Sequence, residues 1–439
     1  MAAASCIYAA DSFSEMFTEG KAYGNIKYYY IQTDKQNDNP YKDTSAHANA
    51  IGGQLSFETA SLMGFKAKAT FMTTNGFSLG NPVDTSILGR DNGVRLGAQY
   101  ADDSFTVLGE ALLQYNYEGF MANYGRQVIK TPLIHAKEVR MLPSAVQGAM
   151  LSYTDKTNGW SIGGSYLTHF KQRTSDSFVN IVEHALGANT RAITGSDTGD
   201  VWYLDAAWHN DAVSVSVYDY YAKDFLNSLY ATAAYHGETG GHAFGLAIEG
   251  IMQRSVGNAD SNLAKAGSVT GGKAINAESI SLKGDIHFGE STFMAGYSYV
   301  TKDDNAHDSL VLPWDGTPLY TNMITSNDLF SSNYGKGLKA DSIYIGGTSA
   351  FKIAYTQTYD FTGYTGFKTV LSYMNADNDR FTKGNQQDFN VVLAYNYDKH
   401  LSIALKGIWV KNNTGAKADG TVTQLDDFQQ YRVIANYKF

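Results

Sequence analysis

SFTVLGEALLQYN, residues Ser104 to Asn116, decides the fold class. Phe105, Val107, Ala111, Leu113 and Tyr115 fall on one side of this stretch, while Thr106, Glu110, Gln114 and Asn116 fall on the other. A period of two belongs to a strand, because successive side chains leave opposite faces of a pleated backbone. Such a strand separates two unlike environments. GVRLGAQY (93–100) repeats the pattern, with Val94, Leu96, Ala98 and Tyr100 against Arg95 and Gln99. In SIALKGIWV (402–410), Ile403, Leu405 and Trp409 oppose Ser402, Ala404 and Lys406. The closing YRVIANYKF sets Tyr431, Val433, Ala435, Tyr437 and Phe439 against Arg432, Asn436 and Lys438.

Pairs of such strands are joined by short polar turns, as at 154–160 (TDKTNGW), 209–213 (HNDAV), 288–292 (FGEST) and 397–401 (YDKHL). Asp, Asn and Gly suit tight hairpins because they tolerate positive φ. Successive pairs are linked by longer, irregular segments such as Lys171 to Gly199, Ser255 to Ala277 and Lys302 to Lys339. Short turns at one end and long loops at the other form the pattern of an outer-membrane barrel. About eighteen strands are expected, near 20–33, 49–60, 62–74, 90–101, 104–116, 147–155, 158–170, 200–209, 212–221, 229–236, 243–254, 277–288, 291–301, 348–361, 364–376, 388–398, 400–411 and 427–439. An even number leaves both termini on the short-turn side. Closure follows from physics, since lipid cannot hydrogen bond a free strand edge.

Composition supports this reading. Of 439 residues, 43 are Gly and 6 are Pro, aromatics make up 13% and charged residues only 18%. No run approaches the ~18 apolar residues of a membrane-spanning helix. A soluble sandwich would also alternate, so aromatic placement discriminates. Tyr28, Tyr30, Tyr100, Tyr115, Tyr373, Tyr395, Trp409, Tyr431 and Phe439 share the apolar face near strand ends, as interfacial girdles do. A net charge of −9 argues against a nucleic-acid partner, which needs a dominant basic face. The only cysteine, Cys6, lies in MAAASCIYAADSF, which looks like the tail of a secretory signal. The expected division is therefore a signal-peptide remnant at 1–10 and one barrel domain at 11–439.

Chemistry is sparse. No nucleophile elbow, phosphate-binding loop, H-E-x-x-H or paired-cysteine motif is present, so neither catalysis, nor a cofactor, nor a metal site is expected. The loop YGRQVIKTPLIHAKEVRMLPSAVQG (124–148) carries the most particular text. Pro132 and Pro143 fix φ within it, and Arg126, Lys130, Lys137 and Arg140 concentrate positive charge, with Glu110 to oppose them. Opposed charges across a wet neck filter solutes by charge. Assigning each polar face to the lumen puts Lys27, Arg95, Lys352, Lys368, Lys406 and Arg432 inside. Five of these six lie on the first strand or the last five, which become neighbours on closure. They form a basic wall, with Glu249 and Glu58 as acidic counterparts; a lattice of structural ion pairs is the competing account.

Within the loop, Gly125, Arg126 and Gln127, then Thr131 and Pro132, then Arg140 to Pro143 and Gly148, resemble the OprD-like porins. YDYYAKDFLNSLYATAAY (218–235) is similar to that family's Tyr-rich strand pair. PWDGTPLYTN (313–322) followed by SNYGKGLKAD resembles the major outer-membrane porin type of epsilon-class bacteria. The resemblance implies an all-β transmembrane antiparallel barrel with long external loops and a third loop folded into the pore. It also implies a basic ladder that guides carboxylates, although Lys replaces the family's usual Arg at several places. Tyr437 and Phe439 resemble the terminal signal read by the outer-membrane assembly machinery.

The expected function is passive diffusion of small hydrophilic solutes and ions across a Gram-negative outer membrane, with its lipids and lipopolysaccharide as surroundings. Monomer and homotrimer both stay open. The alternative is a surface adhesin or structural barrel with a filled lumen.

Overall fold

The computed structural model describes residues 10–36, 44–76, 104–136, 139–186, 199–259, 261, 273–324, 343–360, 365–378, 385–412, 415–416, 422–423 and 427–439. Eighteen long strands follow one another: β1 (Lys21–Gln36), β2 (Thr44–Glu58), β3 (Phe65–Gly76), β4 (Phe105–Tyr117), β5 (Phe120–Gln127), β6 (Ala145–Asp155), β7 (Trp160–Lys171), β8 (Val201–His209) and β9 (Val213–Ala222) in the first half. The second half runs β10 (Leu226–Thr239), β11 (His242–Ser255), β12 (Asn276–Phe288), β13 (Ser291–Val300), β14 (Thr348–Thr358), β15 (Phe367–Asn378), β16 (Asn385–Asn396), β17 (Leu401–Asn412) and β18 (Asp427–Lys438). Each pairs antiparallel with its neighbour in sequence. β1 closes the ring on β18, from Asn25 opposite Lys438 to Gln36 opposite Asp427. Two short helices, α1 (Phe13–Thr18) and α2 (Ile181–Leu186), complete the elements used below.

The two faces sort as alternation predicts. Leu55, Leu113, Leu204 and Leu246 stand at least half exposed on the outer side, as side chains facing hydrocarbon do in an isolated chain. On the inner side Ile31, Met72, Ile251, Met374 and Ile408 are fully buried, because long loops enter the lumen and pack against them. Aromatic pairs stand on the outer face at the short-turn ends, including Phe65 with Tyr115 at 4.6 Å and Phe367 with Tyr395 at 4.1 Å.

Three expectations change. Ser104 to Asn116 does not keep one apolar face, because Gly109 is an extra residue between the pairs Thr70 with Glu110 and Phe71 with Leu108. A bulge of one residue inverts the side-chain parity. Val107 therefore packs inward beside Met72 while Leu113 faces out. Residues 120–127, assigned to the third loop, instead form β5, so that loop shrinks to 128–144. Glu118 and Gly119, with φ of 43° and 88°, make the tight hairpin turn before it. Finally, β3 pairs directly with β4, leaving no place between them for the strand expected at 90–101. That segment, with Arg95 and Tyr100, lies outside the described residues, as do Lys137 and residues 1–9.

Gly119 gives a stability test of the hairpin. A Cβ there would lie 2.5 Å from the Thr154 carbonyl oxygen. Gly119→Val should destabilise the barrel by more than the ~1–2 kcal/mol of left-handed backbone alone, read as a lower urea midpoint.

Candidate pore neck

Three external loops meet inside the barrel. The third, 128–144, starts where the Val128 N–H donates to Glu110 Oε1 at 3.3 Å. It turns tightly around Pro132: the Thr131 N–H and hydroxyl both donate to the Ile134 carbonyl, at 2.9 and 2.8 Å. Its far limb is pinned to β1. Lys27 Nζ donates to the carbonyls of Arg140 and Met141 at 3.3 and 3.2 Å, and the Tyr29 hydroxyl to that of Val139 at 3.1 Å.

The described part of the seventh loop, 301–324 and 343–347, is tied to β11, β12, β14 and β16. Gln253 of β11 exchanges hydrogen bonds with the backbone of Val311, at 2.8 and 2.6 Å. Further down, the Tyr320 N–H donates to Ser281 Oγ at 3.0 Å and the Ile324 N–H to Asn390 Oδ1 at 3.1 Å. Lys352 Nζ caps the Asn322 carbonyl at 2.5 Å. Apolar contact supplies the rest: Leu310, Val311, Leu312, Trp314 and Leu319 share one cluster with Leu133 and Ile134 of the third loop and with α2 of the fourth.

Asp315 joins all three. One carboxylate oxygen receives the Arg173 guanidinium of the fourth loop at 2.5 Å, and the other receives the Ser144 hydroxyl of the third at 2.6 Å. The two side chains of the ion pair are 6% and 1% exposed. Asp315 has φ of +65°, a left-handed conformation that Asp tolerates before a glycine, here Gly316. Around it, the His135 N–H donates to the Trp314 carbonyl at 3.0 Å, and the Trp314 indole N–H to that of Ile181 at 2.9 Å.

The proposed neck residues divide by partner. Glu110 stands on the strand beside the root of the third loop, where Lys68 holds one carboxylate oxygen at 2.7 Å and Thr70 bonds the same oxygen at 2.8 Å. Arg126 follows Gly125, whose φ is +126°. Its guanidinium donates to the Leu108 carbonyl and Gln147 Oε1, at 3.3 and 3.2 Å, and covers the Phe178 ring at 4.4 Å. Lys130 is exposed, Arg140 is buried, and Lys137 is undescribed.

All five described wall residues have lumen-side parity. Lys27, on β1, and Lys352, on β14, anchor the third and seventh loops. Arg432, on β18, is buried, bonding Gln430 at 2.7 Å and the Tyr29 hydroxyl at 3.3 Å. Its register partner is Lys406 of β17. Lys368, on β15, is exposed toward the short-turn end. Of the acids, Glu58 pairs with Lys66 at 3.0 Å, and Glu249, 1% exposed, accepts from the Tyr230 hydroxyl at 2.9 Å.

Sequence reasoning missed Arg173, Asp315 and Trp314. The Asp-Gly pair at 315–316 signals a turn, but nothing local says that the turn sits inside the barrel.

α2 gives a pH test. Burial pushes the His184 imidazole below its ordinary range, against a raising influence from Asp315, a hydrogen bond to the Pro313 carbonyl and an opposing one from Arg173; its ring packs on Phe170 at 4.7 Å. The undocked helix therefore binds the proton more readily than the docked one. Docking stability is complete above the unperturbed value near 6.5 and falls as pH drops below it. Intrinsic-rate-corrected amide exchange in α2 should accelerate from pH 7 to pH 5, and His184→Gln should flatten that profile.

The chain can be compared with known proteins. The model of the outer membrane porin, OprD family, matches residues 15–439. No curated protein sequence matches. Among solved structures of Pseudomonas aeruginosa proteins, OccK8 (OprE) is similar at a TM-score of 0.72 and 15% identity, covering 97% of this chain and 99% of that one. OccK9 (OpdG) gives 0.71 and 14%, and OpdK with vanillate 0.70 and 14%, with the same coverage. These likenesses establish the closed barrel, and the family places it in the bacterial outer membrane as a channel for small solutes rather than among enzymes. The chain belongs to the OprD family of outer membrane porins.

Proposed function

We propose that this porin favours small hydrophilic anions, carboxylates foremost, and sorts them at a neck made by the third, fourth and seventh loops. The observation that carries this reading is the shared lumen-side parity of Lys27, Lys352, Lys368, Lys406 and Arg432 on one arc, β14 through β18 to β1. Asp205 of β8 and Glu249 of β11 have the same parity on the facing arc. Charges of opposite sign on facing walls set up a field across the channel, strengthened by low-dielectric surroundings. Arg126, Lys130, Lys137 and Arg140 add positive charge at the neck, and Glu110 fixes the loop root. OpdK, the relative solved with vanillate, was captured with an aromatic carboxylate, which fits this class.

At the chain end, the Phe439 N–H donates to the Gly24 carbonyl at 3.1 Å and the Gly24 N–H donates to the Phe439 carbonyl at 3.0 Å, so Tyr437 and Phe439 sit at the seam. We propose that the assembly machinery reads them there.

Liposome swelling tests the selectivity. Carboxylates should enter faster than neutral solutes and amines of equal size. Equal rates for all three would remove the electrostatic part of the proposal.

A further inference from the structure

On the membrane-facing side, at the extracellular ends of β15 to β18, two rungs of different character lie one above the other. Register places Tyr373, Phe389, Trp409 and Gln429 side by side in the lower rung. In the upper rung Gln387 is opposite Lys411, and Asp427 follows on β18. These residues have the parity of Leu371, Leu393 and Leu405, which face lipid. Together they enclose a pocket of about 280 Å³.

The aromatic shelf is held in one pose. Trp409 leans over Gly407, where a Cβ would lie 2.5 Å from the indole ring. Phe389 flanks it at 5.8 Å and 33°, and Tyr431 meets it edge-on at 6.0 Å and 84°. The Tyr431 hydroxyl donates to Gln429 Oε1 at 3.0 Å, leaving the amide nitrogen to donate elsewhere. Gln387 and Lys411 make no hydrogen bond or ion pair among the described residues.

Above the aromatic rung, which marks the interface, these polar ends meet the head-group layer of the outer leaflet, where a bound group can pair with them. The occupant must offer an apolar face to the indole and hydroxyl groups to the rim. A pyranose ring does both: its C–H face stacks on the aromatic shelf while its hydroxyls pair with the amides of Gln387 and Gln429. A phosphodiester head group fits less well, because Lys411 is the only cation among the described residues of the pocket lining and Asp427 stands beside it. The size is close to the ~300 Å³ lower end of small-ligand pockets.

We infer that this pocket is a saccharide site, holding a sugar of an outer-leaflet glycolipid against the barrel wall. The test uses the full-length folded protein in detergent micelles doped with lipid A, a phosphorylated glucosamine disaccharide, or with phosphatidylglycerol. Native mass spectrometry counts what stays bound. Wild type should retain lipid A in preference to phosphatidylglycerol. Trp409→Leu and the pair Gln387→Leu with Gln429→Leu, both apolar and suited to a lipid-facing surface, should each lower lipid A retention about tenfold, as the loss of ~1.4 kcal/mol does. Heat-modifiable gel mobility confirms that the variants are folded. Unchanged retention in folded variants, equal retention of phosphatidylglycerol, or a second copy of the chain on this face in place of lipid would each overturn the assignment.

Discussion

Asp315→Asn is expected to widen the pore. Its carboxylate bonds Ser144 of the third loop and Arg173 of the fourth, while its own backbone belongs to the seventh. Removing the charge takes away the carboxylate that opposes the buried Arg173 guanidinium. Breaking a buried pair from one side typically costs ~3–5 kcal/mol, which shifts a docking equilibrium by two or more orders of magnitude. The loops have apolar packing to lose as well, so the change should show as a wider, noisier conducting state rather than as loss of the barrel. The eighteen-strand ladder holds its hydrogen bonds independently of these loops. Replacing both partners, Arg173→Met with Asp315→Leu, should restore the narrow state, because no buried charge is then stranded. Quiet currents of wild-type size from Asp315→Asn would remove Asp315 from its place as the joint of the neck.

The second large effect concerns selectivity. Lys368 and Lys406 lie on the lumen side of β15 and β17, away from the Arg140, Met141 and Asn322 carbonyls that Lys27 and Lys352 hold. Lys368→Gln with Lys406→Gln should therefore move the reversal potential in a salt gradient toward zero while leaving pore size unchanged. Screening sets the conditions: the Debye length is ~10 Å at 0.1 M salt and ~3 Å at 1 M, so the difference from wild type should shrink as salt rises. Lys352→Met should act differently. Its ammonium caps the Asn322 carbonyl, and a charge-assisted bond of ~1.5–3 kcal/mol is lost from the seventh loop. Conductance should change there more than selectivity. If Lys352→Met changed only selectivity, Lys352 would belong to the permeation path and not to the loop anchor.

Much of the barrel was legible because hydrocarbon and water impose their pattern residue by residue. The alternation in 402–410 and 431–439 survives unchanged, as does the outward placement of Tyr373, Tyr395, Trp409 and Tyr431. Reading failed where the backbone departs from that pattern. At Gly109 one inserted residue turned Val107 inward, and no hydropathy rule registers a bulge. The β4 to β5 hairpin rests on two residues, Glu118 and Gly119, and only the glycine advertises the turn. GVRLGAQY alternates as well as any strand, yet β3 and β4 pair without it, since alternation reports an amphipathic segment and not its neighbours.

At the neck, charge was a poor guide to position. Arg126, Lys130 and Arg140 were legible as a basic loop, but the buried joint is made by Arg173 and Asp315, 142 residues apart. Such pairs depend on how far each loop reaches into the lumen, which spacing does not encode. The five described wall cations have the strand parity that alternation assigns them, and Arg95 lies outside the described residues. That Lys27, Lys352 and Arg432 hold loops or bury themselves followed only from the atoms they touch.

We propose a continuous aqueous passage through a barrel whose loops narrow it without filling it. Planar-bilayer recording of the purified protein at low salt tests it most directly. Discrete, ohmic current steps with a reversal potential on the anion side are predicted; a folded barrel that inserts and stays electrically silent would mean a filled lumen.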